Sequence, residues 1–574
     1  DNMEKNMMSQ VVRTEVTQRM IPTYEPGKPE IHPLFFEKRV YQGSSGKVYP
    51  VPFIDQVSDQ QVDKEYRVVI LENDLVRLEL LPEIGGRIFR AQDKSNGGYD
   101  FFYRQEVIKP ALVGLAGPWI SGGVEFNWPQ HHRPGTYLPC DFHIEKEEDG
   151  SRTVWMSEVD PISHMKGMHG IRLRPGSSLI ELRGRLFNRT PFTQTFLWWA
   201  NMAVRVHGNY ESFFPPDVHY VADHAVRAMI GFPEADGFYY GIPYHLRKGA
   251  NDLRKYAHIP VPTSYMVCET GYDFFGGYDH DAEGGFIHVA NRHIAPGKKQ
   301  WTWGNAAFGR AWDSELTDSG GPYFELMAGV YTDNQPDFAY LAPFETKTFS
   351  QFWWPYRKIG PVQQAGRELA LRAEIEADRQ LELGLVSSRP MEGLKLIVKT
   401  ERSPRVFENI SVSPAHPWTD RSLTLEPDER QHPSIWVEDG SGQRILTYQK
   451  PDHPGTRNRS LAEEPPEPSG IDHPSALELV GEHLEQYRHP TRHPEPYWEE
   501  AVSLDPFQYR AMISQGRSLL KRGLLAEAEG ELRRAIEVLT THHPNPQTGE
   551  AHYYCGLSCL LQQKTGEAYA LLYK

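Results

Sequence analysis

The feature that most constrains this chain is a long succession of short, alternating apolar segments. From about residue 66 to about 358, period-two patterns recur and are cut off by Gly, Pro, Asn or Asp. Tyr66–Leu81 reads as two such segments hinged at Glu72-Asn73-Asp74. Ser178–Asn188, Phe196–Val206, Gly285–Ala290, Tyr323–Tyr331 and Thr346–Trp354 continue the series. Alternation puts successive side chains on opposite faces, so each segment is a strand with one face to bury. Many short strands with regular turn signals imply a large antiparallel sandwich or barrel. Paired glycines in Ile84-Gly85-Gly86-Arg87-Ile88 mark a tight turn or a close backbone approach.

The rest of the chain divides by composition. Residues 1–30 read as an arm or edge strand, and 31–360 hold the β domain. Residues 361–384 are rich in Ala, Leu, Glu and Arg, which predicts a linking helix. Alternation returns over 385–450, as in Leu394–Lys399 and Ser434–Glu438, enough for a small second β domain. Residues 451–474 are rich in Pro, Glu and Ser and form a linker. Helical periods fill 475–574, as in Ser514–Arg522, Leu525–Leu539 and Ala551–Leu561. Small residues at the crossings and the Leu504-Asp505-Pro506 stop resemble tetratricopeptide repeats. Those helices are expected to recruit a protein partner or to self-associate. The pattern breaks off at Lys574, so the natural chain is expected to continue.

Several function classes are excluded. A formal net charge of −15 with no basic run argues against a nucleic-acid partner. Four scattered cysteines make no disulfide framework, and Cys555/Cys559 lack a second ligand pair for zinc. No stretch of 18 apolar residues occurs and the N-terminus is polar. A membrane partner is therefore not expected and a cytoplasmic location is, unless a leader has been removed. No nucleotide, flavin or metal-ligand spacing appears, so neither cofactor nor metal is expected.

Three blocks carry candidate chemistry. Gly117–Pro134 combines glycines with Trp119 and Trp128 as flat faces, and with Glu125, Asn127, His131 and His132. That mixture suits a pyranose, whose hydroxyls need planar donors and acceptors while its C–H face wants a ring. The competing reading is a structured loop with a solvated His pair. Asn188–His207 is a turn and a buried strand whose polar exceptions are Asn201 and His207. A lone His on such a strand is commonly a satisfied core residue. In Gly321–Thr332, Glu325 sits inside an apolar β pattern, where an ionised carboxylate is costly without a partner or a task. Glu325 is the leading candidate acid or base; a structural ion pair with an Arg is the alternative. Arg87 is placed to orient a hydroxyl or carboxylate, and Trp303 adds another ring.

The order of these pieces resembles the aldose 1-epimerase (galactose mutarotase-like) superfamily. The resemblance rests on Leu80–Ile88, Ile120–Asn127, and the Asn188-x-Thr190-Pro191 turn leading to Trp198-Trp199-Ala200-Asn201. It also rests on Phe324-Glu325-Leu326, Asn334-Gln335-Pro336-Asp337 and Pro343–Thr346. It implies a large antiparallel β-supersandwich with Glu325 at the catalytic glutamate position. Ser121 stands where that family carries one active-site histidine, and Trp198 or Trp199 where it carries another. The whole arrangement, with helices following the β domain, also resembles the DUF5107 type of bacterial protein.

Three functions follow as expectations. The first is a carbohydrate-active enzyme, a glycoside hydrolase or relative, using Glu325 and Glu125 across a glycosidic bond with His131, His132 or His207 as substitutes. The second is a non-catalytic sugar-binding scaffold. The third is a sugar epimerase with a non-standard acid.

Overall fold

The computed structural model describes residues 11–31, 52–333, 337–400, 404–426, 433–453, 455, 460–487 and 492–574. Asn334, Gln335 and Pro336 of the motif above, and residues 32–51, lie outside the described residues.

Two antiparallel sheets face each other across one core. The first is 12-stranded and runs in the order Arg13–Pro26, Val57–Glu72, Val76–Leu81, Arg87–Asp93, Val124–Asn127, Trp198–Arg205, Tyr323–Val330, Gly297–Thr302, Thr263–Val267, Tyr220–Ala222, Met229–Gly231, with Tyr99–Asp100 on Arg87–Asp93. The second is 8-stranded and centres on Gly284–Val289, Thr346–Arg357 and Ile180–Phe187. The N-terminal stretch is thus an edge strand, paired with Val57–Glu72 from Arg13 to Pro26. The predicted hinge sits between Glu72 and Val76, where Asn73 Oδ1 accepts from the amides of Leu75 and Val76 at 2.9 Å each.

The core is written in the alternation. Phe324, Leu326, Ala328 and Val330 point inward from one central strand, and Trp198, Ala200, Met202 and Val204 from its neighbour. Burying such a row removes roughly 1.5–3 kcal/mol worth of apolar surface from water per large side chain. The glycine pairs allow the strands to close up. Gly123 has φ +59, and a Cβ there would lie 1.9 Å from the Ile88 carbonyl oxygen, so no other residue fits.

Residues 361–384 do not form the predicted helix. They contribute the strands Gln364–Ala365 and Leu369–Ile375 and the start of Gln380–Ser387. Leu369, Leu371, Ala373, Leu381, Leu383 and Leu385 all enter one apolar cluster, which a period of two allows and a period of 3.6 does not. Helix-favouring composition yielded to sheet pairing, because propensity is worth tenths of a kcal/mol per residue and burial several times that. These strands belong to one four-stranded sheet, which shares its apolar core with a second four-stranded sheet carrying Leu394, Leu396, Ile435 and Val437.

Over the described residues the chain divides into two compact units, one reaching to residue 461 and one from 462 onward. The second is helical: Pro474–Tyr487, Glu495–Leu504, Tyr509–Lys521, Leu525–Thr540, Glu550–Leu561 and Thr565–Leu572. A glycine on one helix receives a large side chain of another in three places, Gly481 against Trp498, Gly516 against Leu532 and Gly556 against Leu572. No helix among the described residues is long and apolar enough to cross a membrane.

Candidate active site on the outer face of the large sheet

The residues that alternate with the core row face away from it, and on the central strands they are polar. Register fixes their neighbours. Asn201 stands opposite Glu125, Ala203 opposite Glu325, and Trp301 opposite Glu325 from the other side. Lys299 lies two residues from Trp301 on the same face. Arg87, alternating with the core residue Ile88, joins the set. Glu125, Glu325, Arg87, Asn127, Asn201 and Lys299 are all under a tenth exposed.

Glu125 is heavily engaged. It accepts from Trp119 Nε1 at 3.0 Å, Thr136 Oγ1 at 2.6 Å and Asn201 Nδ2 at 3.4 Å. His132 Nδ1 lies 3.1 and 3.0 Å from its two oxygens. Burial alone would raise its pKa, but His132, Arg87 and Thr136 outweigh burial and hold it well below the usual carboxylate range. Burial pulls His132 toward the neutral form, yet the charge and hydrogen bond of Glu125 dominate and raise its proton affinity. The imidazole hydrogen bonds of His132 to Glu125 use Nδ1, which leaves Nε2 for proton transfer.

Glu325 is the opposite case. Burial raises its pKa, the Glu125 charge adds to that, and His132, Tyr323 and Lys299 counteract only in part. Tyr323 Oη donates to its Oε1 at 3.1 Å, and Trp303 Nε1 donates to the Tyr323 oxygen at 3.1 Å. Lys299 is brought down by burial to about 7, against the pull of Glu325. Burial also depresses His131 and His224, the latter hydrogen-bonded through Nδ1 to Ser264 Oγ. Four side chains with shifted proton affinity, His132, Glu125, Tyr323 and Lys299, therefore act on Glu325. Several buried polar atoms here have no hydrogen-bond partner on the protein: both side-chain atoms of Asn127, Asn201 Oδ1, Arg87 Nε and His131 Nδ1. Such atoms are costly unless something polar meets them.

The loop carrying the histidines is pinned by Arg133, which donates from Nε to the Phe126 carbonyl at 2.7 Å and from Nη2 to the Gly85 carbonyl at 2.6 Å. His131 and His132 are therefore in a loop and not on a strand, their rings 5.6 Å apart and crossed at 75°.

Most of the sequence-selected residues come together, with two exceptions. His207 belongs to a different cluster, 3.0 Å from Asp279 Oδ1 and 3.4 Å from Asp281 Oδ2. Its donor types could hold a divalent cation. Trp128 turns into the core, packed against Gly167, where even a Cβ would meet its indole nitrogen at 2.2 Å. It is no stacking platform. Trp303 stacks on Trp312 at 4.1 Å and 9°, at the edge of the site. Lys299, Tyr323, Trp301, Thr136 and His224 were not singled out from sequence. The available signal was the alternation Lys299/Trp301 against Lys298/Gln300, read beside Glu325.

A sandwich of two antiparallel sheets with a buried acid–base set on the outer face of one of them is the class of protein that these features define. Residues 44–356 match the family described as a domain of unknown function, DUF5107, and the chain belongs to that family. Residues 364–448 match the second domain of YphG-like proteins. A TPR-domain containing protein from Parabacteroides distasonis is similar in fold, with TM-score 0.52 and 16% identity over 98% of this chain and 79% of that one. A galactose mutarotase-like protein from Clostridium acetobutylicum aligns over 51% of this chain and 96% of its own at 9% identity, TM-score 0.35.

Proposed function

We propose that this face is the active site of an acid–base enzyme working at the anomeric centre of a sugar, with Glu325 and His132 as the proton-transfer pair. The observation that supports it is the divergence of environments: burial favours the protonated form of Glu325, while Glu125 favours the protonated form of His132. Neighbouring titratable groups pushed off their ordinary values are the mark of acid–base catalysis. The unsatisfied amide of Asn127 and the unpartnered Oδ1 of Asn201 match hydroxyl groups, and the rings of Trp301 and Trp303 offer a flat apolar rim.

The engagement of Glu125 favours anomer exchange over glycosidic cleavage. Exchange needs an acid at the ring oxygen and a base at the anomeric hydroxyl. In this reading Glu325 takes the hydroxyl proton while His132 Nε2 protonates the ring oxygen. The C–O bond then opens to the aldehyde and recloses on its other face. Cleavage by paired carboxylates would require Glu125 to leave four donors. Hydrolysis by Glu325 with His132 as its partner is the second reading.

The test is two-dimensional exchange NMR on a panel of free aldoses, with product detection on oligosaccharides. The wild type is expected to accelerate anomer exchange of at least one sugar, and Glu325→Gln to lose roughly 10²–10⁴-fold of that rate. Oligosaccharide cleavage dependent on Glu325 would transfer the assignment to the second reading. Binding with neither reaction would leave a sugar-binding protein.

A further inference from the structure

We infer that the sugar bound on this face carries an anionic group, and that Arg87 receives it through the Nε–Nη2 edge of its guanidinium. The inference rests on the reading of the face as a sugar site and adds the chemical class of the sugar.

Two arginines are buried to the same degree, Arg87 at 3% exposed and Arg133 at 4%. Arg133 is fully occupied. It pairs with Glu158 and donates to two backbone carbonyls. Arg87 makes one hydrogen bond, from Nη1 to the Ile120 carbonyl at 2.8 Å. Its Nε is buried without an acceptor, and no carboxylate among the described residues forms an ion pair with it. A buried guanidinium without an anion is costly, since charge leaves water only when something replaces water.

The carboxylates nearby do not fill that role. Glu125 spends its oxygens on Trp119, His132, Thr136 and Asn201, and Glu325 Oε1 accepts from Tyr323. With one N–H of Nη1 used, the adjacent donors Nε and Nη2 make no hydrogen bond and project side by side. That edge matches two oxygens of a carboxylate, sulfate or phosphate and is mismatched to a single hydroxyl. The surrounding charge agrees. Glu125 and Glu325 oppose the burial of Arg87 only through space, and His132 offsets Glu125, so Arg87 has no hydrogen-bonded anion of its own. A uronic acid or a sugar phosphate would supply one.

Isothermal titration of the full chain with D-glucuronate, D-glucose 6-phosphate and D-glucose separates the sources. At least one anionic sugar is expected to bind about tenfold or more tightly than glucose, the scale of a charge-assisted hydrogen bond. Which one does so tells carboxylate from phosphate. Arg87→Gln is expected to bring that advantage within about twofold of unity. Should that variant fail to fold by circular dichroism, Arg87→Lys, which keeps the charge and loses the fork, decides in its place. Glucose binding as tightly as both anionic sugars, or an advantage that survives Arg87→Gln, overturns the inference and leaves the sugar-site reading standing. If none of the panel sugars binds and none exchanges its anomers, both fall.

Discussion

The two faces of the central strands are built from alternate residues of the same few segments, yet they obey different rules. On the inner face Phe324 is wholly buried, its ring 6.2 Å from Tyr210 and 6.0 Å from Tyr256. One residue along, Glu325 is also buried, but among titratable groups. Burial is nearly equal on both faces, so exposure does not distinguish a core from a site here. What distinguishes them is satisfaction: inner residues meet surfaces that fill space, whereas outer residues keep donors and acceptors that the protein leaves unmatched. An inner face specifies the fold, and an outer face of this kind stores electrostatic cost that a ligand can relieve.

The sharpest way to break that contrast is to truncate each face in turn. Phe324→Ala removes a ring from a closed apolar layer, and the cavity term adds to the lost transfer energy, so about 3–5 kcal/mol of stability should go. Denaturant unfolding measures it; a loss under 1 kcal/mol would mean that the inner face collapses freely and is not a fitted core. Glu125→Gln comes next. The amide keeps the shape but turns an NH₂ toward donors from Trp119 or Asn201, an expected cost of about 1–3 kcal/mol. The same variant removes the charge that raises the proton affinity of His132. The pH dependence of the proposed sugar reaction should then move its His132 limb toward lower pH. A stability loss with no movement of that limb would make Glu125 structural only.

Much of the inner face was legible in the sequence, because alternation reports directly on burial. The same alternation placed Glu325 in an apolar strand, and the glycine pairs marked the close approaches at Arg87 and Val124. The outer face was less legible, because its neighbours are set by strand order. Lys299 and Trp301 flank Glu325 only since Gly297–Thr302 pairs with Tyr323–Val330, and a charged Lys-Lys pair reads as solvent-facing when taken alone. His132 was among several candidates, but its selection over His131 depends on a loop held by Arg133 to two distant carbonyls. The segment Leu369–Ile375 failed for a related reason. Its composition favours helix, and only a partner strand reveals that its period is two.

The smallest effect separates the two buried carboxylates of the outer face by sign. Glu325 has its folded-state pKa raised by burial, so the folded chain holds its proton more tightly than the unfolded chain does. Its contribution is favourable at low pH, where the group is protonated in both states. It is lost as pH rises from the ordinary carboxylate range, roughly 4, through the raised folded value. Glu125 runs the other way. Its folded pKa is depressed, so its contribution is present above pH ~4 and is lost as pH falls toward the depressed value. Glu325→Gln should therefore leave the acid side of the stability–pH curve almost unchanged and flatten the fall toward neutral pH. At pH 7 the variant is expected to be as stable as the wild type or slightly more so, even as the proposed reaction is lost. Thermal unfolding across pH 4–8 reads this directly. A variant less stable than the wild type at neutral pH would mean that Glu325 is a structural ion-pair member, and the outer face would then follow the rules of the inner one.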